Sequence, residues 1–229
     1  MKKRGAGNVE FILSFILFIS FTMAALYFFN PIQNTQNLES SKNYVINVII
    51  ENTSVELDTY SIIIHDSSDA QSIEVSLSEI DAGKKVRVVD YYGSTMDSKR
   101  DDGQICFKRV NDENFATIYF SEDIDGSEGA CGGNPDYKMG SSINSKVISE
   151  KRILQLKNAY YKDYSSLKSL FNIPKNLDFS FSFEFPNGEI ISAETDVLLR
   201  REVFSDTKTK EILREDGTTL FGYLTVNVW

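Results

Sequence analysis

His65 is the only histidine among the 229 residues, so it is the only side chain whose ordinary pKa suits a general base near neutral pH. It follows the apolar run 62–64 and precedes Asp66, a position typical of a surface turn after a strand. The sequence has no Gly-x-Ser-x-Gly elbow, phosphate-binding loop, dinucleotide fingerprint or His-Glu-x-x-His pair. The carboxylates follow no pattern that would pair two of them for acid–base chemistry. We therefore expect no catalytic residue, no cofactor and no enzyme activity.

Asp123 and Asp125, followed by Gly126, have a spacing that favours a hard cation, because Ca²⁺ prefers clustered carboxylate oxygens. The twelve-residue calcium loop also requires a third acidic position and a glutamate six residues after the glycine, and both are missing here. The two aspartates are thus calcium candidates, with solvated acids in a turn as the alternative interpretation. No other metal ligands are expected.

Cys106 and Cys131 are the only cysteines, and both follow the apolar N-terminal stretch. Two cysteines and one histidine do not make a zinc site, so one disulfide bond is the expected use of the pair outside a cell. Two buried free thiols are the alternative. The bond would close a loop of about 25 residues, stabilise the fold by about 3 kcal/mol and tie down the acidic, glycine-rich loop 121–135.

Asn52 begins the sequon Asn52-Thr53-Ser54, which makes it a candidate glycan acceptor in an exported protein. We expect this sequon in a surface turn. The motif is only three residues long, so it also arises by chance.

Glu10 lies at the start of a long apolar run, residues 11–29, which contains no charge. As a helix this run would span about 28 Å, close to the ~30 Å hydrocarbon core of a bilayer. The basic cluster Lys2, Lys3 and Arg4 predicts a cytoplasmic N-terminus and a chain that continues outside. Because a carboxylate at the edge of lipid is costly when unpaired, Glu10 is expected to have a partner.

The order of these residues resembles the type IV prepilin signal: a basic cluster, Gly5, Glu10 as the fifth residue after the glycine, and Phe11 opening an apolar helix. The form Gly-x-x-x-x-Glu-Phe is also similar to the leader of archaeal class III pilins and of TadE-like pseudopilins. The resemblance covers residues 1–30 of the 229.

This resemblance implies that a prepilin peptidase cleaves between Gly5 and Ala6 on the cytoplasmic side and leaves the helix on the mature protein. It also implies that Glu10 pairs with the new amine of Ala6 on a neighbouring subunit. The expected function is that of a pilin-like subunit, minor or accessory, of a type IV pilus-like surface filament or secretion apparatus. Its expected partners are the peptidase, other pilin-like subunits and the membrane.

Three alternatives remain open for the N-terminal stretch. A cleaved secretory signal would need a processing site near Ala24 and Ala25, yet the apolar run continues past them. A plain signal anchor would make Glu10 incidental. A membrane-anchored binding or adhesion module that never polymerises is the alternative function, with loop 121–135 as its contact surface.

The net charge of −9 argues against a nucleic-acid partner.

The apolar stretch and the patterns that follow it in the chain predict an α+β fold. It consists of an N-terminal transmembrane helix, then a β-rich ectodomain with an antiparallel or sandwich-like sheet and a short helix pair. The expected divisions are a leader at 1–5, a helix at 6–30, a stalk or linker at 31–43 and the ectodomain at 44–229. Ser149 is the expected cap of the first ectodomain helix, and Asp163 or Ser165 that of the second, at 164–170. Residues 91–145 are expected to be irregular apart from two short strands. The predicted strands are 44–50, 60–65, 73–77, 85–89, 105–110, 117–120, 179–185, 189–193, 196–204 and 222–229.

Overall fold

The computed structural model describes residues 6–65, 72–77, 80–101, 103–109, 114–126, 128–129, 131–133, 136–195 and 203–229, without the side chains of 6–9 and 28–38. Three helices and twelve strands form an α+β fold. In chain order they are α1 (Ala6–Thr53), β1 (Ser54–Ile64), β2 (Ser72–Ser76), β3 (Lys85–Asp90), β4 (Thr95–Met96), β5 (Ser98–Asp101), β6 (Gln104–Lys108), β7 (Phe115–Ser121), β8 (Tyr137–Ser149), α2 (Glu150–Lys162), α3 (Tyr164–Leu170), β9 (Phe179–Glu184), β10 (Ile190–Ala193), β11 (Phe204–Leu213) and β12 (Thr219–Val228).

Nine of the strands form one sheet in the order β10-β9-β12-β11-β8-β1-β7-β3-β4. All neighbours are antiparallel except β11 and β8, which are parallel and pair only at Ile212–Ile148 and Leu213–Ser149. This short junction divides the sheet into a four-stranded half, β10-β9-β12-β11, and a five-stranded half. The remaining strands form a small antiparallel sheet, β2-β6-β5. The expected β-rich α+β fold is confirmed at this level.

Helix α1 is a single helix of 48 residues, about 72 Å long, so the predicted strand at 44–50 is wrong and residues 31–43 are helical. The β-branched composition of 44–50 suggested a strand, but Val45, Ile46 and Ile49 have helical spacing and are fully buried, whereas Asn47 and Glu51 are exposed. Packing of that apolar face outweighs local propensity, which is a weak prior. The last turns of α1 therefore pack into the core of the folded domain.

Two main cores fill the domain. The first lies between the four-stranded half and helices α1, α2 and α3, and the alternating Phe179, Phe181 and Phe183 of β9 supply its aromatic centre. The second lies between the five-stranded half and the small sheet, around Phe107 and Phe120. Burial of such side chains stabilises by about 1.5–3 kcal/mol each, so the apolar alternation seen in the sequence accounts for most of the packing.

The predicted helix pair is confirmed, together with its caps. The Ser149 hydroxyl accepts a hydrogen bond from the Arg152 backbone N–H at 3.3 Å and begins α2. The Asp163 carboxylate accepts from the Ser166 backbone N–H at 3.0 Å and begins α3, which makes Asp163 rather than Ser165 the cap. These local hydrogen bonds satisfy backbone donors that the first turn of a helix leaves free.

Strand β8 was missed, because residues 91–145 were expected to be irregular. Its residues 138–146 are largely polar and exposed, with Gly140, Ser141 and Ser142 in the middle, so they carry no alternating apolar signal. They are extended because their backbone pairs with β1 from Ser54–Ile148 to Ile64–Tyr137. Strand β1 likewise begins at Ser54, before the predicted position 60. Residues 196–202 of the predicted strand 196–204 lie outside the described residues.

The predicted strand at 222–229 is present as β12, which lies between β9 and β11 and forms a hairpin with β11 that the sequence did not predict. Its turn contains Gly217 with a φ of 82°, in the left-handed region that glycine adopts without strain. Trp229, the last residue, is buried and exchanges backbone hydrogen bonds with Asp178 at 2.9 and 3.0 Å. The last residue is thus tied to the segment before β9, and the alternating pattern of 222–229 forms the predicted strand.

Cys106 in β6 and Cys131 lie at disulfide distance, with their Cα atoms 5.5 Å apart, as the sequence predicted. The bond joins the small sheet to the segment after β7. Arg100 makes an isolated backbone bridge to Glu128 in that segment, and the Gly129 N–H donates to the Arg100 carbonyl at 3.3 Å. The disulfide therefore supplements a weak set of backbone contacts.

We expect the Cys106→Ser/Cys131→Ser double variant to lose about 3 kcal/mol of unfolding free energy, because the unfolded chain regains the entropy of a long loop. Urea denaturation with and without reductant checks this value: reduction of the wild type should reproduce the variant, and the variant itself should not respond. Equal unfolding free energies for both proteins would contradict a stabilising role of the bond.

Tyr160 of α2 and Tyr164 of α3 pack against the sheet. The Tyr160 hydroxyl is buried and lies 2.7 Å from the Phe179 carbonyl, to which it donates. The Tyr164 hydroxyl accepts from the Phe179 N–H at 2.9 Å. Burial raises the pKa of both phenols above the ordinary value, and the negative charge of Asp178 adds to the shift.

A phenol whose pKa is higher in the folded than in the unfolded state stabilises the fold at pH values below its unfolded pKa of about 10 and loses that contribution as pH rises through the folded pKa. We therefore expect stability to fall above about pH 10. Tyr164→Phe, which cannot ionise there, should show a shallower decline than the wild type. Urea midpoints between pH 8 and pH 11 measure the two slopes, and parallel slopes would contradict this assignment.

Candidate functional site: the exposed apolar helix

The N-terminal part of α1 is the largest exposed apolar surface in the described part of the chain. The window Glu10–Tyr27 has a mean hydropathy of 1.9, and none of it is buried. Phe11 and Phe21 are each 76% exposed and Tyr27 is 78% exposed. Soluble domains do not present such a surface to water, so this helix requires a lipid or protein environment. By length and composition it can cross a membrane, although a signal sequence would satisfy the same criteria.

Glu10 lies at the first turns of this helix with its side chain exposed, and within the described residues it forms no ion pair. Gly5 lies outside the described residues, and Ala6 is the first residue of α1. The helix thus places the carboxylate at the lip of the apolar surface, about 6 Å along the axis from the position of Ala6. A carboxylate in this position needs a cation from outside the domain once the helix leaves water.

The other end of α1 is fixed to the domain by polar contacts as well as by the first core. The Tyr44 hydroxyl donates to the Phe171 carbonyl at 2.8 Å, and the Lys208 ammonium donates to the Asn47 side-chain oxygen at 3.3 Å. These contacts come from α3 and β11. The last turns of α1 are therefore held against the sheet and against the residue that follows α3.

The junction of α1 and β1 is held by Arg152 at the start of α2. Its guanidinium donates to the Ser54 carbonyl at 2.7 Å and to the carboxylates of Asp123 at 2.7 Å and Glu122 at 3.2 Å. Asp123 is thus paired with a cation of the protein itself. Asp125 lies 4.0 Å from the ammonium of Lys85.

These ion pairs bear on the prediction that Asp123 and Asp125 are candidate calcium ligands. Both carboxylates face basic side chains, and the described residues contain no group of three or more metal-ligating side chains. The structure therefore does not gather the two aspartates into a cation site. Their proximity in sequence reflects the ion pairs that hold the end of β7.

Asn52 is placed on the last turn of α1, not in the expected surface turn. Its side-chain amide donates to the Val48 carbonyl at 2.8 Å. Thr53 is fully buried, and the Ser54 hydroxyl donates to the Ile50 carbonyl at 2.5 Å. The sequon therefore spans the end of α1 and the first residue of β1, and all three of its side chains donate to carbonyls of the last turns of the helix. Glycosylation at Asn52 stays a prediction.

His65 lies on the surface after β1, as predicted, with 54% of its side chain exposed and its Nε2 3.8 Å from the Asp136 carboxylate. A polar cavity of about 780 Å³ lies beside Lys84, Arg100 and Gly126. Lys84 is paired with Asp58 and Glu56 at 2.8 and 3.0 Å, and Arg100 donates to backbone carbonyls. Both of these cations are thus engaged by partners within the fold.

No family model matches the sequence, and the searches of curated proteins and of solved structures found no similar protein.

Proposed function

We propose that the chain is a pilin-like subunit, minor or accessory, of a type IV pilus-like surface filament or secretion apparatus. The observation that carries the proposal is the exposed apolar helix with an acidic residue at its start, fixed rigidly to a folded β-rich domain. A plain tether needs neither the acidic residue nor a continuous 48-residue helix that ends inside the core. An assembly element needs both.

In this proposal a prepilin peptidase cleaves after Gly5 and leaves Ala6 with a free amine. The Glu10 carboxylate pairs with the Ala6 amine of a neighbouring subunit when the helices bundle. Both charges leave water in that bundle, and an unpaired charge there is strongly destabilising, so the pair favours one axial position of adjacent helices. The apolar side chains between Glu10 and Tyr27 pack against those of other subunits.

The same proposal assigns the orientation of the chain. The basic cluster Lys2, Lys3 and Arg4 keeps the N-terminus in the cytoplasm, and the domain lies outside the membrane. The cysteine pair at disulfide distance supports this location, because disulfide bonds persist in oxidising compartments.

Shearing filaments from the cell surface tests the function. We expect the protein in the sheared, high-molecular-weight fraction, together with other pilin-like subunits, when the prepilin peptidase is active. In a peptidase-deficient strain it should remain entirely in the membrane. A protein that stays in the membrane in both strains would instead be the non-polymerising, membrane-anchored binding module.

A further inference from the structure

Helix α1 gives the four-stranded half of the sheet two different faces. Val45, Ile46 and Ile49 pack on one face, where Lys208 of β11 also reaches Asn47. The opposite face, which we call the outer sheet face, consists of the alternate residues of β9, β10, β11 and β12. Because α1 covers the inner face, the outer sheet face points away from whatever surrounds α1.

The strand registers place rows of hydroxyl groups across the outer sheet face. Thr207, Thr225 and Ser182 are directly opposite one another on β11, β12 and β9, and the two threonine hydroxyls lie 2.9 Å apart. Cross-strand partners lie on the same face, so these groups form a continuous row. Each hydroxyl both donates and accepts hydrogen bonds.

Beside this row the face carries exposed apolar side chains. Phe221 is 66% exposed and Tyr223 is 51% exposed; they are two residues apart on β12, about 7 Å along the strand, and lie on the same side. Ile190, which is 58% exposed, lies two strands away in the same row as Tyr223, with Glu184 between them. Phe221, Tyr223 and Ile190 thus form an exposed apolar patch that borders the row of hydroxyl groups.

The outer sheet face lacks basic groups. Lys208 and Lys210 of β11 alternate onto the inner face, and among the outward positions of these four described strands none is Lys or Arg. The charged groups on the face are the carboxylates of Glu184 and Glu211. Phosphate-bearing partners such as nucleic acids or anionic lipid headgroups require basic clusters, so the charge of this face disfavours them.

We propose that the outer sheet face binds a neutral polysaccharide. One side of a sugar ring presents polarised C–H groups, which the negative faces of Phe221 and Tyr223 attract, and its edge presents hydroxyls that match the threonine and serine row. The Glu184 carboxylate accepts further hydrogen bonds from such hydroxyls. An open sheet face admits an extended polymer, as in folds that bind oligosaccharides on a sheet. The proposal does not depend on cleavage or polymerisation of α1.

Co-sedimentation of the full-length, detergent-solubilised protein with insoluble cellulose, chitin and xylan, and with mannan-coupled and amylose-coupled beads, tests the proposal. We expect retention on at least one of these polymers and a loss of about tenfold or more in the Phe221→Ala/Tyr223→Ala double variant. The matched control is Tyr91→Ala/Tyr92→Ala, which removes two exposed tyrosines, 71% and 80% exposed, from the turn after β3. This control should be retained as well as the wild type.

A second variant guards against misfolding of the double alanine variant. Thr209→Val, next to Tyr223 across β11 and β12, preserves side-chain shape but removes a hydroxyl, and it should reduce retention about threefold without lowering the melting temperature. The proposal is overturned if no polymer retains the wild type. It is also overturned if Thr209→Val is retained as well as the wild type, or if the Phe221→Ala/Tyr223→Ala and Tyr91→Ala/Tyr92→Ala variants lose retention equally. A third contradicting result is that Phe221 and Tyr223 are needed for retention on protein-coated beads but not on any polysaccharide.

Discussion

Glu10→Ala is expected to reduce incorporation of the chain into filaments at least tenfold, which is the largest functional effect of any single substitution considered. Removing one partner from a desolvated charge pair costs about 3–5 kcal/mol, and about 1.4 kcal/mol corresponds to a tenfold change in an equilibrium. The folded domain should be unaffected, because Glu10 is exposed and lies more than 30 residues before Val45, the first buried side chain among those that the structure describes in α1. Quantitative immunoblotting of sheared filaments against the membrane fraction measures the ratio.

Glu39→Ala provides the matched control, because Glu39 is an exposed glutamate of the same helix that lies beyond the apolar window. We expect it to be incorporated like the wild type. Glu10→Gln tests whether charge rather than size matters, and it should resemble the alanine variant. Normal incorporation of Glu10→Ala would contradict the proposed pairing with the amine of Ala6.

Ile49→Ala is expected to lower the unfolding free energy of the domain by about 2–5 kcal/mol, the usual range for removing a fully buried isoleucine side chain. Ile49 belongs to α1 but packs in the first core between the helices and the four-stranded half of the sheet. Trp229 is buried directly after β12 and is the only tryptophan, so its fluorescence reports unfolding in urea. The measurement is made on the full chain in detergent micelles.

Glu51→Ala separates packing from helix propensity, because Glu51 lies two residues further along α1 and is exposed. Its stability should stay within about 0.5 kcal/mol of the wild type. If Ile49→Ala were as stable as Glu51→Ala, the last turns of α1 would not be part of the core. The folded domain would then begin only after the end of α1.

Local signals predicted the elements whose stability is local. Ser149 and Asp163 were recognised as caps because a cap needs only its own side chain and the next few backbone donors. Strand β9 was recognised because its alternating phenylalanines expose their period directly in the sequence. In each case the residues that carry the sequence signal also make the contacts that stabilise the element.

The errors lie where distant partners decide the structure. Residues 44–50 have the composition of a strand but form a helix, because the sheet offers a surface for Val45, Ile46 and Ile49. The polar residues of β8 form a strand because β1 supplies its hydrogen-bonding partners. Neither partner can be read from the segment itself, since both depend on contacts distant in sequence.

The same distinction holds for the candidate sites. Glu10 could be singled out because a lone carboxylate beside an apolar run is a sequence pattern. The pairing of Cys106 with Cys131 followed from their number. The outer sheet face could not be predicted, because Phe221, Tyr223 and Thr207 come together only through the register of β11 with β12. The two aromatic residues at alternate positions of β12, Phe221 and Tyr223, are the one signal that the sequence offered.

The N-terminal residue of the membrane-associated protein tests the central claim most directly. Edman degradation or intact mass measurement on protein from cells with an active prepilin peptidase should give a chain that begins at Ala6, lacking the first five residues. Protein from cells without the peptidase should begin at Met1. A chain that begins at Met1 in both, or that begins beyond Tyr27 after removal of the whole apolar helix, would contradict the role of α1 as the assembly element.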